Sequence, residues 1–234
     1  GVETLSILAP CVESSQETTG LISITAYLLR QPQDRVSPKT KSGLLKILQH
    51  FLPLYNPQED TELTQQVFQV VTSLFDYFKD DENRQVLSDV FTIFARHDPE
   101  LHQVAALCAD LNSISTQKLE VDFERRLQAF NKINEGLWRE FNAKQWRPLL
   151  FNMLFHIKDE EELAIRSSAS FGLRRLMERA VLDVNGGNAE FDQLVREVVL
   201  PALQNGVRQK SEMIRIEFVT ALGYFIKLNP TMPA

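Results

Sequence analysis

The chain has 234 residues, 44% hydrophobic and 24% charged, with a formal net charge of -6. That length can bury a substantial core as one large domain or two small ones. Nine Gly and ten Pro are too few for a low-complexity chain, and the apolar runs are too short and interrupted to span a bilayer.

No charged, apolar leader opens the chain, and it begins at Gly1 without an initiator Met, so it reads as a segment of a longer protein. Cys11 and Cys108 lie far apart. That gives neither a disulfide framework nor a zinc spacing, and it fits a reducing compartment. The one N-glycosylation-like Asn, Asn229, precedes Pro230 and is blocked, which also argues against secretion. The charge is uneven. Residues 1–117 carry 8 Lys and Arg against 15 Asp and Glu, while residues 118–234 carry 17 against 16. The acidic half argues against a phosphate-binding surface there.

Apolar residues recur at three- and four-residue steps, as in Val67, Val70, Val71, Leu74, Phe75 and Phe78, which marks one stripe of a helix. Helices are predicted at about 16–30, 40–54, 59–79, 82–96, 98–113, 122–141, 145–157, 159–182, 189–204 and 210–228, with a partial one at 1–9. The breaks carry matching punctuation. Gln31-Pro32, Leu52-Pro53 and Asn56-Pro57 end helices, Asp98-Pro99 places a capping Asp before a first-turn Pro, and Asn185-Gly186-Gly187-Asn188 separates two strong helices.

Internal repetition distinguishes a closed bundle from a stack of helix pairs. Pro148 and Pro201 lie in first helices. The second helices carry Glu124-Arg125-Arg126, Ile165-Arg166 and Ile214-Arg215, and aligning the last two places Gly172 on Ala221. Arg126, Arg166 and Arg215 recur near the ~40–47 residue period of HEAT units. Small residues let second helices approach closely, and the Arg can pair with an acidic residue of the inter-helix turn such as those in the run 159–162. The expected fold is therefore all-α, a HEAT/armadillo-like α-solenoid of stacked antiparallel helix pairs. Residues 1–117 form its acidic, degenerate repeats and residues 118–234 its clearer ones, in one continuous segment.

Catalytic signatures do not emerge. His50, His97, His102 and His156 lack ligand spacing. The acidic runs at 80–82 and 159–162 read as helix starts that favour the dipole. No phosphate loop or nucleophile elbow occurs, Ser167, Ser168 and Ser170 read as packing residues, and Cys108 reads as a small buried hydrophobe. The chain is expected not to be an enzyme and to need no cofactor or metal. Basic residues offer more: Lys144, Arg147, Arg174, Arg175, Arg179, Arg208 and Lys210 could line one edge of a solenoid and contact phosphate or an acidic protein. The competing reading is a solvated face balanced by Glu178, Glu190 and Glu212. Trp138, Phe141 and Trp146 read either as packing where repeats meet or as an interface anchor.

A more particular resemblance runs through Asp110-Leu111-Asn112, the stretch Val121-Asp122-Phe123-Glu124-Arg125-Arg126-Leu127-Gln128-Ala129-Phe130, Trp146-Arg147-Pro148-Leu149-Leu150 with Phe155, the loop at Asp159, and Val198-Val199-Leu200-Pro201-Ala202-Leu203. Asp122 and Phe130 fall on acidic and aromatic positions of that pattern, and Arg125 or Arg126 on its basic one; Pro148, Asp159, Arg166, Pro201 and Arg215 complete the signature. The sequence resembles the large HEAT-repeat scaffold family of the small-subunit processome (U three small nucleolar RNA-associated protein twenty, or "down-regulated in metastasis"), more weakly upstream around Ser42–Leu48. The resemblance implies a non-catalytic scaffold segment in early nucleolar assembly of the small ribosomal subunit. Its implied partners are processome proteins, pre-ribosomal RNA and the U three snoRNP, with no membrane and no small-molecule substrate, and its implied location is the nucleus and nucleolus. The alternatives are a HEAT-repeat transport or trafficking adaptor, or a regulatory subunit.

Overall fold

The computed structural model describes residues 15–115, 120–184 and 189–228. The partial helix predicted at 1–9 and the loop at 185–188 lie outside the described residues. The described elements are helices α1 (Ser15–Arg30), α2 (Pro38–Phe51), α3 (Thr61–Ser73), α4 (Asp81–Ala95), α5 (His102–Leu111), α6 (Phe123–Asn131), α7 (Ala143–His156), α8 (Leu163–Val184), α9 (Ala189–Leu194), α10 (Leu200–Gly206) and α11 (Glu212–Leu228). No described helix is long and apolar enough to cross a membrane.

Local chemistry sets the helix starts. Ser37, Asp80 and Asp122 each accept a backbone N–H three residues on, from Thr40, Asn83 and Arg125, and so satisfy a donor that the first turn leaves open. Asn142 and Gln145 form a reciprocal capping box ahead of α7. Asp159 Oδ1 accepts the N–H groups of Glu161 and Glu162 at 3.0 and 2.8 Å. The acidic run is thus a turn, and α8 starts at Leu163 rather than at 159.

Other predicted helices are also shorter or interrupted. The one predicted at 98–113 opens with a 3-10 turn at Pro99–Leu101 behind the Asp98 cap, where the N–H that Pro99 lacks would have had no helical acceptor. The one predicted at 122–141 gives way after Asn131 to a π-helical turn, Lys132–Gly136, and a 3-10 turn, Leu137–Arg139. The one predicted at 189–204 contains a second π turn, Val195–Val199, directly before Leu200-Pro201.

The chain divides into two compact units, residues 1–114 and 115–234. In the first, α1 packs on α2 and α3 on α4, while α1 also packs on α3 and α2 on α4; α5 packs on α4. First helices thus form one layer and second helices another, which is the arrangement of an α-solenoid. The core between α3 and α4 is aromatic: the Phe68 ring stacks on Phe94 at 6.0 Å, and Phe75 meets Phe91 edge-on at 5.9 Å. Burying one such ring stabilises the fold by about 1.5–3 kcal/mol.

The second unit repeats the plan. Helix α7 pairs with α8, and the α9–α10 rod pairs with α11. First helices meet where α7 packs on α9, and second helices meet where α8 packs on both α6 and α11. Glycine permits one close approach here. A Cβ on Gly206 would lie 2.1 Å from ring atoms of Phe218, so α10 and α11 touch backbone to ring. Among the described residues each unit is all-α, with helices paired and layered as in an α-solenoid, as the helical periodicity predicts.

Candidate functional site

The repeat signature has a structural purpose that can be read residue by residue. Arg126, Arg166 and Arg215 are each the fourth residue of their helices α6, α8 and α11. Each backbone N–H donates to the carbonyl of the capping residue, Asp122, Glu162 or Ser211, at 3.0–3.1 Å. The Arg166 guanidinium donates to the main-chain carbonyl of Asp159 at 2.7 Å, and Arg215 donates to the carbonyls of Gln209 and Lys210 at 2.9 and 2.7 Å. For Arg166 and Arg215 the turn acceptors are main-chain carbonyls, not the carboxylate expected from the sequence. The partner of Arg166 is the Asp159 carbonyl, because the Asp159 carboxylate is used in capping. Arg166 also reaches into the next pair, with Nε 4.0 Å from Glu217 of α11.

Two members of this series lie in the first unit, where sequence reasoning missed them. Lys41 and Arg84 are the fourth residues of α2 and α4, and both are buried. Arg84 donates to the carbonyls of Phe75 and Phe78 and, through Nε, to Asn112 Oδ1 at 2.7 Å. Lys41 lies 4.4 Å from the centre of the Tyr77 ring, and burial pulls its ammonium below the usual value. The signal was available: a Ser or Asp cap followed four residues later by Lys or Arg, at 37 and 41 and again at 80 and 84.

Of the other signature residues, Phe130 is fully buried, with its ring edge-on to His156 at 5.6 Å. Pro148 sits inside α7, where its carbonyl accepts the Asn152 side chain at 2.9 Å. Pro201 opens α10 behind the π turn. Trp146 and Phe141 are buried and meet edge-on at 6.1 Å, so they pack the interior rather than anchor a partner.

The structure distributes the seven candidate contact residues over several places. Lys144 and Arg147 are half-buried on α7, with the Arg147 guanidinium 5.4 Å from the Phe151 ring centre. Burial lowers the Arg147 pKa, and nearby Glu197 acts in the opposite direction. Arg179 lies over the Phe191 ring of α9 at 5.1 Å. Arg208 and Lys210 are exposed in the turn before α11. Arg174 and Arg175 share a contact: both guanidiniums lie over the Phe171 ring, at 5.3 and 4.7 Å.

That contact belongs to a larger cluster on the second-helix layer of the second unit. The Arg175 guanidinium also lies 4.7 Å from the Trp138 ring centre, and Arg139 lies 4.7 Å from the same ring. Arg139, Trp138, Arg175, Phe171 and Arg174 therefore alternate as cation and ring. Arg175 is held by the Asn134 carbonyl at 3.2 Å and by Glu178 at 2.7 Å. Tyr224 of α11 donates its hydroxyl to Glu178. Burial pushes the Glu178 carboxyl up, but the hydrogen bonds from Tyr224 and Arg175 outweigh it and hold it below the usual carboxylate range.

Sequence reasoning named Arg174 and Arg175 but missed Arg139 and Phe171, and it took Glu178 as a solvated counter-charge. The π turn explains part of this. It breaks the helix register that would have been used to place Trp138 and Arg139. A shallow groove lined by Gln128, Asn131, Lys132, Glu135, Gly136 and Leu137 follows the same turn.

Comparison with known proteins bears on the whole chain. A designed armadillo repeat protein, 15% identical, covers 96% of this chain and 91% of its own at a TM-score of 0.35, a likeness that carries no argument. Two curated relatives, both named U3 small nucleolar RNA-associated protein 20, are closer in sequence. The one from Schizosaccharomyces pombe is 32% identical over 228 residues, 97% of this chain. The one from Saccharomyces cerevisiae is 31% identical over 216 residues, 91% of this chain. The chain spans only 9% and 8% of the lengths of these relatives. The family described as U3 small nucleolar RNA-associated protein 20, N-terminal, matches residues 1–211, and the chain belongs to that family.

Proposed function

We propose that this chain is a non-catalytic scaffold segment of a protein that acts in early nucleolar assembly of the small ribosomal subunit, within the small-subunit processome. The observation that carries the reading is family membership over residues 1–211, with relatives named for association with the U3 small nucleolar RNA. The packing supports it. Buried basic residues, which in an enzyme would be candidates for chemistry, here tie turns to helices and one helix pair to the next. A stack built this way presents extended layers, over which binding is spread across many weak contacts. Its partners are then processome proteins and pre-ribosomal RNA, and its place is the nucleolus.

The test is to tag the full parent protein, purify it from cell extract at moderate salt, and probe for U3 RNA and for the unprocessed 5′ end of pre-rRNA. Enrichment of both is the expected result. Their absence, with transport cargo or a catalytic subunit recovered instead, would replace this reading by an adaptor or regulatory subunit.

A further inference from the structure

We propose that the alternating stack of Arg139, Trp138, Arg175, Phe171 and Arg174 is a binding site for single-stranded RNA. An unpaired base stacks at the exposed Phe171–Arg174 end, and phosphates of the same strand meet the guanidiniums of Arg174 there and of Arg139 at the other end. The proposal rests on the scaffold reading only for where such RNA is met.

The site is pre-organised. Trp138 is buried at its base, Arg175 is fixed by the Asn134 carbonyl and by Glu178, and Glu178 is fixed in turn by Tyr224. A ligand therefore finds the planar groups already ordered and does not meet the entropic cost of arranging them. The open end is suited to a base: Phe171 is 36% exposed, unusual for a Phe. Ring faces and guanidinium planes both stack on nucleobases, whatever the base.

Charge points the same way. The stack itself holds three guanidiniums, and the carboxylate bonded to it, Glu178, is already engaged by Arg175 and Tyr224. Arg174 Nε is buried without a hydrogen-bond partner. This grouping of three guanidiniums lies on a chain whose net charge is -6, so it is not a by-product of general basicity. An acidic peptide would use the guanidiniums and leave the ring idle. A duplex would hide its base faces. An unpaired strand uses both parts of the stack.

The test titrates the 234-residue chain, at several salt concentrations, with labelled oligouridylate and with an RNA duplex of equal length, and uses polyglutamate as competitor. Oligouridylate is expected to bind in preference to the duplex. Phe171→Ala is expected to weaken binding on the order of ten-fold with the salt dependence unchanged. Arg174→Gln and Arg139→Gln are each expected to reduce the slope of log affinity against log salt by about 0.7. Arg139 is exposed, so its replacement keeps the test sound if a change at Phe171 or Arg174 harms folding, which a circular-dichroism melt reveals.

Variants that bind oligouridylate as tightly as the unaltered chain would overturn the proposal. So would equal affinity for the duplex, or displacement of RNA by polyglutamate with no effect of Phe171→Ala, which would mark an acidic-protein surface. Any of these leaves the scaffold reading standing if the full parent protein still recovers U3 RNA. Failure of that recovery leaves the RNA site standing if the purified chain binds as described.

Discussion

Arg84 Nε donates to Asn112 Oδ1 at 2.7 Å, and both side chains are fully buried although they belong to separate elements. The same guanidinium donates to the Phe75 and Phe78 carbonyls. One side chain thus secures the turn before its own helix and the segment after the next. Arg84→Ala would leave buried acceptors without this donor and is expected to destabilise the chain by about 3 kcal/mol or more. Arg215 occupies the equivalent position of α11 but is only half-buried, so water can replace its bonds and Arg215→Ala is expected to cost about 1 kcal/mol. Urea unfolding of both variants measures the difference. Equal losses would show that burial does not set the strength of the series.

Gly206 and Phe218 give the second prediction. The added methyl of Gly206→Ala would fall 2.1 Å from a buried ring, and a ring packed in the core cannot step aside as a flexible chain end can. The variant is expected to lose about 1–3 kcal/mol despite the better helix propensity of Ala. Gly172→Ala is expected to cost less, because its new Cβ would meet side-chain ends, the Met153 Cε and Sδ and the Asn134 Oδ1, rather than the body of a ring. Thermal melts of the pair decide whether the order is right.

Cys108 is fully buried, and desolvation pushes its thiol well above the usual value, against a small opposing pull from Arg84. The thiolate is the reactive form. The peptide containing Cys108 is therefore expected to resist alkylation by iodoacetamide in the native chain and to label on denaturation in urea. Mass spectrometry of that peptide reads the outcome, and rapid native labelling would contradict the packing of α5.

Glu178 makes stability depend on pH in one direction. Its carboxyl is held below the usual range in the folded chain. The stabilisation is therefore fully present above the unfolded value of about 4.3 and is lost as pH falls through the lower folded value. The difference in urea midpoint between the native chain and Glu178→Gln is expected to be constant near neutrality and to shrink in acid. A difference independent of pH would mean that the bonds from Tyr224 and Arg175 do not favour the charged form.

The helical class, the pairing of helices and the Asp98 cap were legible in the sequence itself. Periodic apolar stripes and caps such as Asp80 and Asp122 act over three or four residues, so their physics is complete within a short window. The recurring Arg126, Arg166 and Arg215 were legible for the same reason, and Lys41 and Arg84 would have been legible from the same spacing behind their caps. Only the tertiary structure decided what Arg84, Arg166 and Arg215 hold, because their acceptors are main-chain carbonyls and groups of other elements, to which composition gives no clue. It also decided which ring each of the basic residues covers: Phe171 for Arg174 and Arg175, Phe151 for Arg147 and Phe191 for Arg179. The stack joining Arg139 and Trp138 to Arg175 and Phe171 depends on a π turn that shifts the helix phase and on the packing of the 3-10 turn at 137–139 against α8. Contacts between groups distant in sequence come into being only when one helix pair settles on the next.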